Sequence, residues 1–467
     1  MLKRIRPLGQ WVNSAADFVE SRPLTAAAAI FALAFTIRLL FLFGTSTWPD
    51  EKNYEMTRVA MSVAAGEGYS NPFAPARTGP SAHIAPAYAT VLAGVYRVFG
   101  TGQTGDLVKQ LLSCVISSLV YALLPAIAVA AGLARHIGFF AGLLGALAPV
   151  SIEVEVIGRW EAHFSTLLFV LAVWLWFRHF RSGEFSFRSG AFAGVVWGVL
   201  LLTAPAFVLV LSSLVLLLMA QRKYRTRRVA AYVASLALVL ILVITPWTIR
   251  NVRQFGTMFF IRNNAGLEFY VSNLPGAKLM LHDNMLGIGK SVHPFTEPTV
   301  CQRVAEIGEL AFNRECMANF KEIVRTDTGR FAFLSFRRFI WMWLPMSEHP
   351  IRDSILPRDL LLCAISIFGL IGLYVLPRDL GFARSTFATI LLSYPLVYYF
   401  VQSATRYRFP IVWITCLLAA YAVLQFVTER SDFLVRHDRS QDSKSQSLAL
   451  SRVVSTAAPS EEGMQDG

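Results

Sequence analysis

The chain is poor in charge. Asp, Glu, Lys and Arg make up 16% of its 467 residues, against roughly 25% in soluble domains, which excludes a set of ordinary water-soluble domains. Cysteine is scarce: there are five, too few for a disulfide scaffold. Cys114, Cys363 and Cys416 fall in apolar runs and read as small core residues. Cys301 and Cys316 fall in a polar stretch. If "CQRVAEIGELAFNREC" is one helix, they stand about 22 Å apart at ~1.5 Å per residue, and a bridge between them needs a bend. No Walker A sequence, GxSxG or HExxH occurs, so direct use of ATP is not expected. No small-x-small cleavage site follows the first apolar run, "LTAAAAIFALAFTIRLLFLFG", before Trp48 and Pro49; this run is expected to stay as an anchor.

What the chain has is apolar length. It is 55% hydrophobic, with a mean hydropathy of +0.49. The apolar runs are continuous rather than alternating, so they read as helices and not as barrel strands. About ten spans are expected, near residues 24–44, 107–133, 137–152, 163–177, two either side of "TAP" at 203–205, 229–247, 359–376, 385–403 and 409–427. The fold class is an all-α polytopic membrane protein. Lys3, Arg4 and Arg6 place the N-terminus, 1–23, in the cytoplasm, and "QRKYRTRR" is the strongest inside marker. The net charge of +13 therefore reads as positive-inside bias and lipid headgroup contact, not nucleic-acid binding. The reading divides the chain into a membrane core, 24–247, with a first loop at 45–106, a large extracytoplasmic loop at 248–358, closing spans at 359–428, and a cytoplasmic tail, 429–467, whose polar composition predicts disorder. "HIAPAYATVLAGVYRVFG", which opens on His83, is predicted to form an interfacial helix.

Counted this way, every unusual polar cluster falls on one side: 46–83, 153–161, 250–345 and 404–408. In the first, Asp50 and Glu51 follow Pro49. They suit a helix start and equally a general base at the water–lipid boundary. "EVEVIGRWEAHF" carries Glu153, Glu155 and Glu161. The first two read as solvated charge; Glu161 opens a span and is the better functional candidate. In "ATRYRFPI", Arg406 and Arg408 flank Tyr407, as interfacial anchors or as forked donors for a phosphate at headgroup height. Arg250 in "TPWTIRNVRQFG" is a further phosphate candidate. His282, Asp283 and His293 match no strong metal-ligand spacing, and "GIG" at 287–289 is a turn. No cofactor is expected, and a divalent metal, compatible with the sequence, has no support in it.

These motifs, in this order, resemble the membrane glycosyltransferases of the GT-C class, in particular the glycosyltransferase 39-like branch of protein O-mannosyltransferases and lipid A aminoarabinose transferases. The resemblance covers roughly 24–428 and rests on "WPDEKNYEMTRVAMSVAAGEGYS", "WEAHFSTLLF", "PWTIRNVRQFG" and "RYRFPI". The chain departs from it at Ala204-Pro205, where relatives often carry Arg-Pro. The resemblance implies a GT-C-like bundle with outward-facing loops and a small mixed extracytoplasmic segment. It implies transfer of a sugar from a polyprenyl-phosphate donor to a hydroxyl on a lipid, glycan or protein, at the outer face of a bacterial inner membrane. Asp50 takes the place of the first-loop acid, Glu51 that of its partner, and Glu161 that of the second-loop carboxylate. Tyr54, His83, Arg250, Arg406, Tyr407 and Arg408 are the implied substrate-binding set. A lipid-linked oligosaccharide polymerase or ligase, or a transporter of lipid-linked substrates, is the alternative.

Overall fold

The computed structural model describes residues 5–44, 54–147, 151, 153–346 and 356–427. Asp50, Glu51 and the tail from 428 lie outside the described residues.

Seven helices are long and apolar enough to cross a membrane: Pro23–Gly44 (span 1), Gln103–Ala130 (span 2), Ala162–Ser182 (span 4), Arg227–Phe255 (span 7), Pro357–Val375 (span 8), Arg378–Tyr399 (span 9) and Thr405–Val427 (span 10). Three shorter apolar helices fill the gaps: Arg135–Leu147 (span 3), Phe187–Thr203 (span 5) and Phe207–Ala220 (span 6). An apolar helix stands at each of the ten expected places, seven of them of spanning length, and the break between the fifth and sixth falls at the "TAP" site. Two expectations change. Span 7 runs on past Pro246 to Phe255. The segment before span 1 is itself a helix, Ile5–Ser21, tied to span 3 by the Glu20–Arg135 ion pair at 3.0 Å.

The spans are inside-out relative to a soluble helix. Span 1 buries Ala26, Ile30, Ala34, Arg38 and Leu42 at four-residue intervals, while Leu24, Leu40 and Phe43 stand exposed on its outer side. Apolar exposure of this kind suits contact with lipid chains. Spans without a hydrophobic drive to associate use small residues to bring backbones close. Span 5 does so with Gly190, Gly194 and Gly198 against span 7; a Cβ at Gly194 would fall 2.6 Å from the Leu236 carbonyl oxygen.

The polar elements all sit at one end of the bundle. Between spans 1 and 2 lie the helices Glu55–Ala64 and Pro86–Phe99. Between spans 7 and 8 lie Ala265–Asn273, Leu281–Leu286, Pro298–Ile307, Glu309–Thr326 and Thr328–Trp343. The expected mixed segment is therefore helical among the described residues, with two isolated bridges, Ser70–Pro80 and Met280–Ser403. The second bridge joins the large loop to the turn before span 10. "CQRVAEIGELAFNREC" is two helices broken at Gly308, where φ is +83°. The bend brings Cys301 and Cys316 into one small core with Phe73, Leu267 and Phe312, and both thiols are free.

Candidate active site

Among the described residues a large cavity, about 1820 Å³, lies where the polar elements meet the spans. It has two characters. One arm is apolar and runs between spans 5, 6 and 7, lined by Leu201, Val208, Leu240, Ile241 and Ile244. Ile241 and Val208 are themselves exposed, so this arm presents apolar surface to whatever enters it. The other arm is polar and draws on all four clusters: Tyr54, Glu55 and His83; Trp160 and Glu161; Arg262, Glu268 and His293; and Arg406, Tyr407 and Arg408. Segments hundreds of residues apart thus share one wall.

Local structure fixes each group. Glu55 stands in the first turn of its helix and is buried. Burial pushes its carboxyl up to about 7; the charges of Arg406 and Arg262 pull the other way, and Glu268 adds to the rise. Arg406 lies flat on Trp160, its guanidinium carbon 3.9 Å from the ring centroid, and donates to the Tyr407 hydroxyl at 3.1 Å. Tyr407 stacks on Tyr398 at 4.7 Å. This geometry presents a planar cation at the junction of the two arms. Arg262 donates through Nε to the His83 carbonyl at 2.8 Å and reaches Glu161 at 3.8 Å.

The loops carrying these groups are clamped. Glu309 accepts from Ser81 Oγ at 2.5 Å and from the Ala82 amide at 2.9 Å. Burial raises its carboxyl to about 7 against those two hydrogen bonds. Arg250 donates to the Tyr69 and Ser81 carbonyls at 2.8 and 2.9 Å and stacks on Trp247 at 4.8 Å. It is not among the residues that line the cavity, so its donors hold the first loop rather than facing a ligand. The wide turn Glu153–Ile157 is held by Arg38 of span 1, which pairs with Glu155. Both side chains are fully buried, so Glu155 is not the solvated charge that its position suggested. Ser113 donates to the Val154 carbonyl at 3.0 Å, and Tyr88 to that of Gly158 at 2.7 Å.

Of the expected site residues, Glu161, Tyr54, His83, Arg406, Tyr407 and Arg408 all line the cavity. Arg408 spends one terminal nitrogen on Leu362 and Ser366 of span 8; its other, Nη1, is buried without a protein partner. Glu55, Arg262, Glu268, Trp160 and Phe295 escaped the sequence reading. A glutamate in a first helical turn is ordinarily solvated, and no local pattern marks one that is buried. Among the described residues no three His, Cys, Asp or Glu side chains gather closely enough to hold a metal ion, and the described carboxylates of the cavity do not form such a set.

No family model and no curated protein matches the chain. Its fold is similar to that of the oligosaccharyltransferase AglB of the archaeon Archaeoglobus fulgidus, solved in complex with an inhibitory peptide and a dolichol-phosphate. The TM-score is 0.54 at 15% identity, over 96% of this chain and 53% of that one. The oligosaccharyltransferase of that organism tethered with an acceptor peptide containing the NVT sequon gives 0.54 at 11% identity, over 87% and 50%. Its complex with Zn and sulfate gives 0.53 at 12%, over 88% and 51%. The chain spans about half the length of these structures, and the likeness is one of fold, an all-helical polytopic bundle.

Proposed function

We propose that the protein is an integral membrane glycosyltransferase that moves a sugar from a polyprenyl-phosphate donor to a hydroxyl acceptor (lipid, glycan or protein) on the extracytoplasmic face of a bacterial inner membrane. The observation that carries this reading is the two-character cavity. A phosphate bearing a long isoprenoid chain needs a cationic socket at headgroup height joined to an apolar groove open to lipid. Arg406 on Trp160 supplies the socket, and the arm between spans 5, 6 and 7 the groove.

In the reaction, the acceptor oxygen forms a bond to the anomeric carbon as the bond from that carbon to the phosphate oxygen breaks. The bonding pair leaves with the polyprenyl phosphate, whose charge Arg406 stabilises in a partly dry site. The hydroxyl proton passes to a carboxylate. The resemblance assigns that base to Asp50, with Glu51 beside it; Glu55, four and five residues on, stands in the cavity. Glu161, set against Arg262, orients the acceptor. Phosphate is a good leaving group, so no protonating acid is required, unlike glycoside hydrolysis. One displacement inverts the anomeric centre. The glycosyltransferase 39-like branch remains our assignment within the class.

The shared fold with an oligosaccharyltransferase favours a second reading, transfer of a lipid-linked oligosaccharide. Purified protein in liposomes, given envelope extract with radiolabelled polyprenyl-phosphate sugar or, in parallel, radiolabelled lipid-linked oligosaccharide, tests both. A covalent product heavier by one sugar supports the first reading and a product heavier by a whole glycan the second. Label that crosses the bilayer with no new bond supports transport instead. Asp50→Asn is expected to abolish transfer with membrane insertion intact, and full activity in that variant removes Asp50 from the mechanism.

A further inference from the structure

The polar arm of the cavity is walled by rings in an unbroken series. Trp160 meets Tyr54 edge-on at 5.9 Å, and Tyr54 stacks on Phe295 at 5.9 Å. Phe295 meets His293 at 6.4 Å. Phe73, behind the wall, touches both His293 at 6.2 Å and His83 at 4.9 Å. Trp160, Tyr54, Phe295, His293 and His83 all line the cavity, and the series starts under Arg406. We propose that this wall is the sugar subsite of the donor and that it selects an uncharged pyranose. The ring's C–H face lies on Phe295, which Tyr54 backs under Arg159, and the imidazoles of His293 and His83 hydrogen-bond its hydroxyls. This deepens, and rests on, the reading of the cavity as a polyprenyl-phosphate-sugar site.

Three observations support the assignment. Aromatic faces suit the C–H face of a pyranose, whose weakly positive hydrogens meet the ring quadrupole. The Phe295 amide donates to His293 Nδ1 at 3.1 Å, so a neutral ring carries its proton on Nε2 and offers a donor to a hydroxyl. His83 Nδ1 is buried with no protein partner, an unmet polar group in a cavity wall. Burial holds His293 near about 4, with the charge of Arg406 adding to the fall, and depresses His83 well below the usual imidazole range. Both rings are therefore uncharged at neutral pH. They provide neutral hydrogen-bonding groups, and Arg262, the cation beside His83, is already engaged by the His83 carbonyl and Glu161, so the wall adds no free counter-charge for an acidic sugar.

Full-length protein in detergent is titrated with undecaprenyl phosphate alone and with undecaprenyl-phospho-glucose, -mannose, -galactose and -galacturonate, by intrinsic fluorescence or thermal shift. Wild type is expected to bind at least one neutral glycolipid more tightly than the bare phosphate, and the galacturonate no more tightly. Phe295→Leu and His293→Ala should each erase about tenfold of that preference while leaving bare phosphate affinity unchanged; His293→Gln, which keeps a donor, should restore part of it. Arg406→Ala should weaken every ligand alike. Equal losses for bare and glycosylated lipid in the Phe295 and His293 variants, no sugar preference in wild type, or a preference for the galacturonate each overturn the subsite. Failure of wild type to bind any of these lipids overturns the polyprenyl-phosphate reading itself. Melting curves identify a variant that has not folded, and Phe295→Tyr, which retains the ring, then takes its place and is expected to keep the preference.

Discussion

Single residues here act chiefly through burial. Glu309 is the clearest case: a carboxyl at the bottom of a loop clamp, raised to about 7 by desolvation. A carboxyl whose folded pKa lies above its unfolded value binds more protons when folded, so its contribution to stability is full below about pH 4.5 and is lost as pH rises to about 7. Glu55 acts in the same sense. His293 and His83, with depressed values, act in the opposite sense and favour the fold as pH rises. A comparison of wild type with Glu309→Gln in detergent cancels these other groups. The stability difference between the two should shift against wild type by up to about 3 kcal/mol between pH 4.5 and 7, since one pKa unit is worth about 1.4 kcal/mol. A difference independent of pH would mean that Glu309 has the same pKa folded and unfolded. At the phosphate socket, Arg406→Lys keeps the charge but loses the planar fork and the face-on contact with Trp160. It should retain more transfer activity than Arg406→Ala, which is expected to lose about a hundredfold or more in kcat.

At the scale of elements, what matters is how distant segments are fastened. The Arg38–Glu155 pair joins span 1 to the turn that delivers Arg159, Trp160 and Glu161. Arg159 rests on Tyr54 at 4.3 Å, so movement of this turn disturbs the first loop too. Removing one partner leaves a buried charge uncompensated, at a cost of about 3–5 kcal/mol, whereas an apolar pair of similar volume can be nearly neutral. Glu155→Gln should therefore lower the melting temperature more than the double replacement Arg38→Met with Glu155→Leu; a double variant less stable than the single one would contradict this account. Between spans 5 and 7, Gly194→Leu has no room beside the Leu236 backbone. It should destabilise by roughly 1–3 kcal/mol and distort the apolar arm, read as a lower melting temperature with weakened lipid binding.

For the molecule as a whole, the design is a polar end plate on an apolar bundle, with the cavity at the join. If the apolar arm houses an isoprenoid chain, Ile244→Trp should narrow it. The KM for a long-chain polyprenyl donor is then expected to rise by about tenfold or more, with kcat for a short-chain citronellyl donor little changed. Equal effects on both donors would place the chain elsewhere.

The partition of the chain between lipid and water was legible in the sequence. Transfer free energies accumulate locally along a run, so the ten apolar helices, the "TAP" break and the convergence of four polar clusters could be read without tertiary information. Arg406 and Glu161 were likewise visible, because each sits at the edge of a run where a charge is conspicuous; Tyr54 and His83 came from the family resemblance. Tertiary structure alone decided which charges are buried and which side chains meet. Arg38 and Glu155 lie 117 residues apart, and Glu309 meets Ser81 across 228. No local pattern encodes such a contact, because desolvation depends on what the rest of the chain packs against that point. For the same reason Glu55 became a cavity carboxylate, Arg250 a loop clamp, and the two cysteines neighbours across the bend at Gly308.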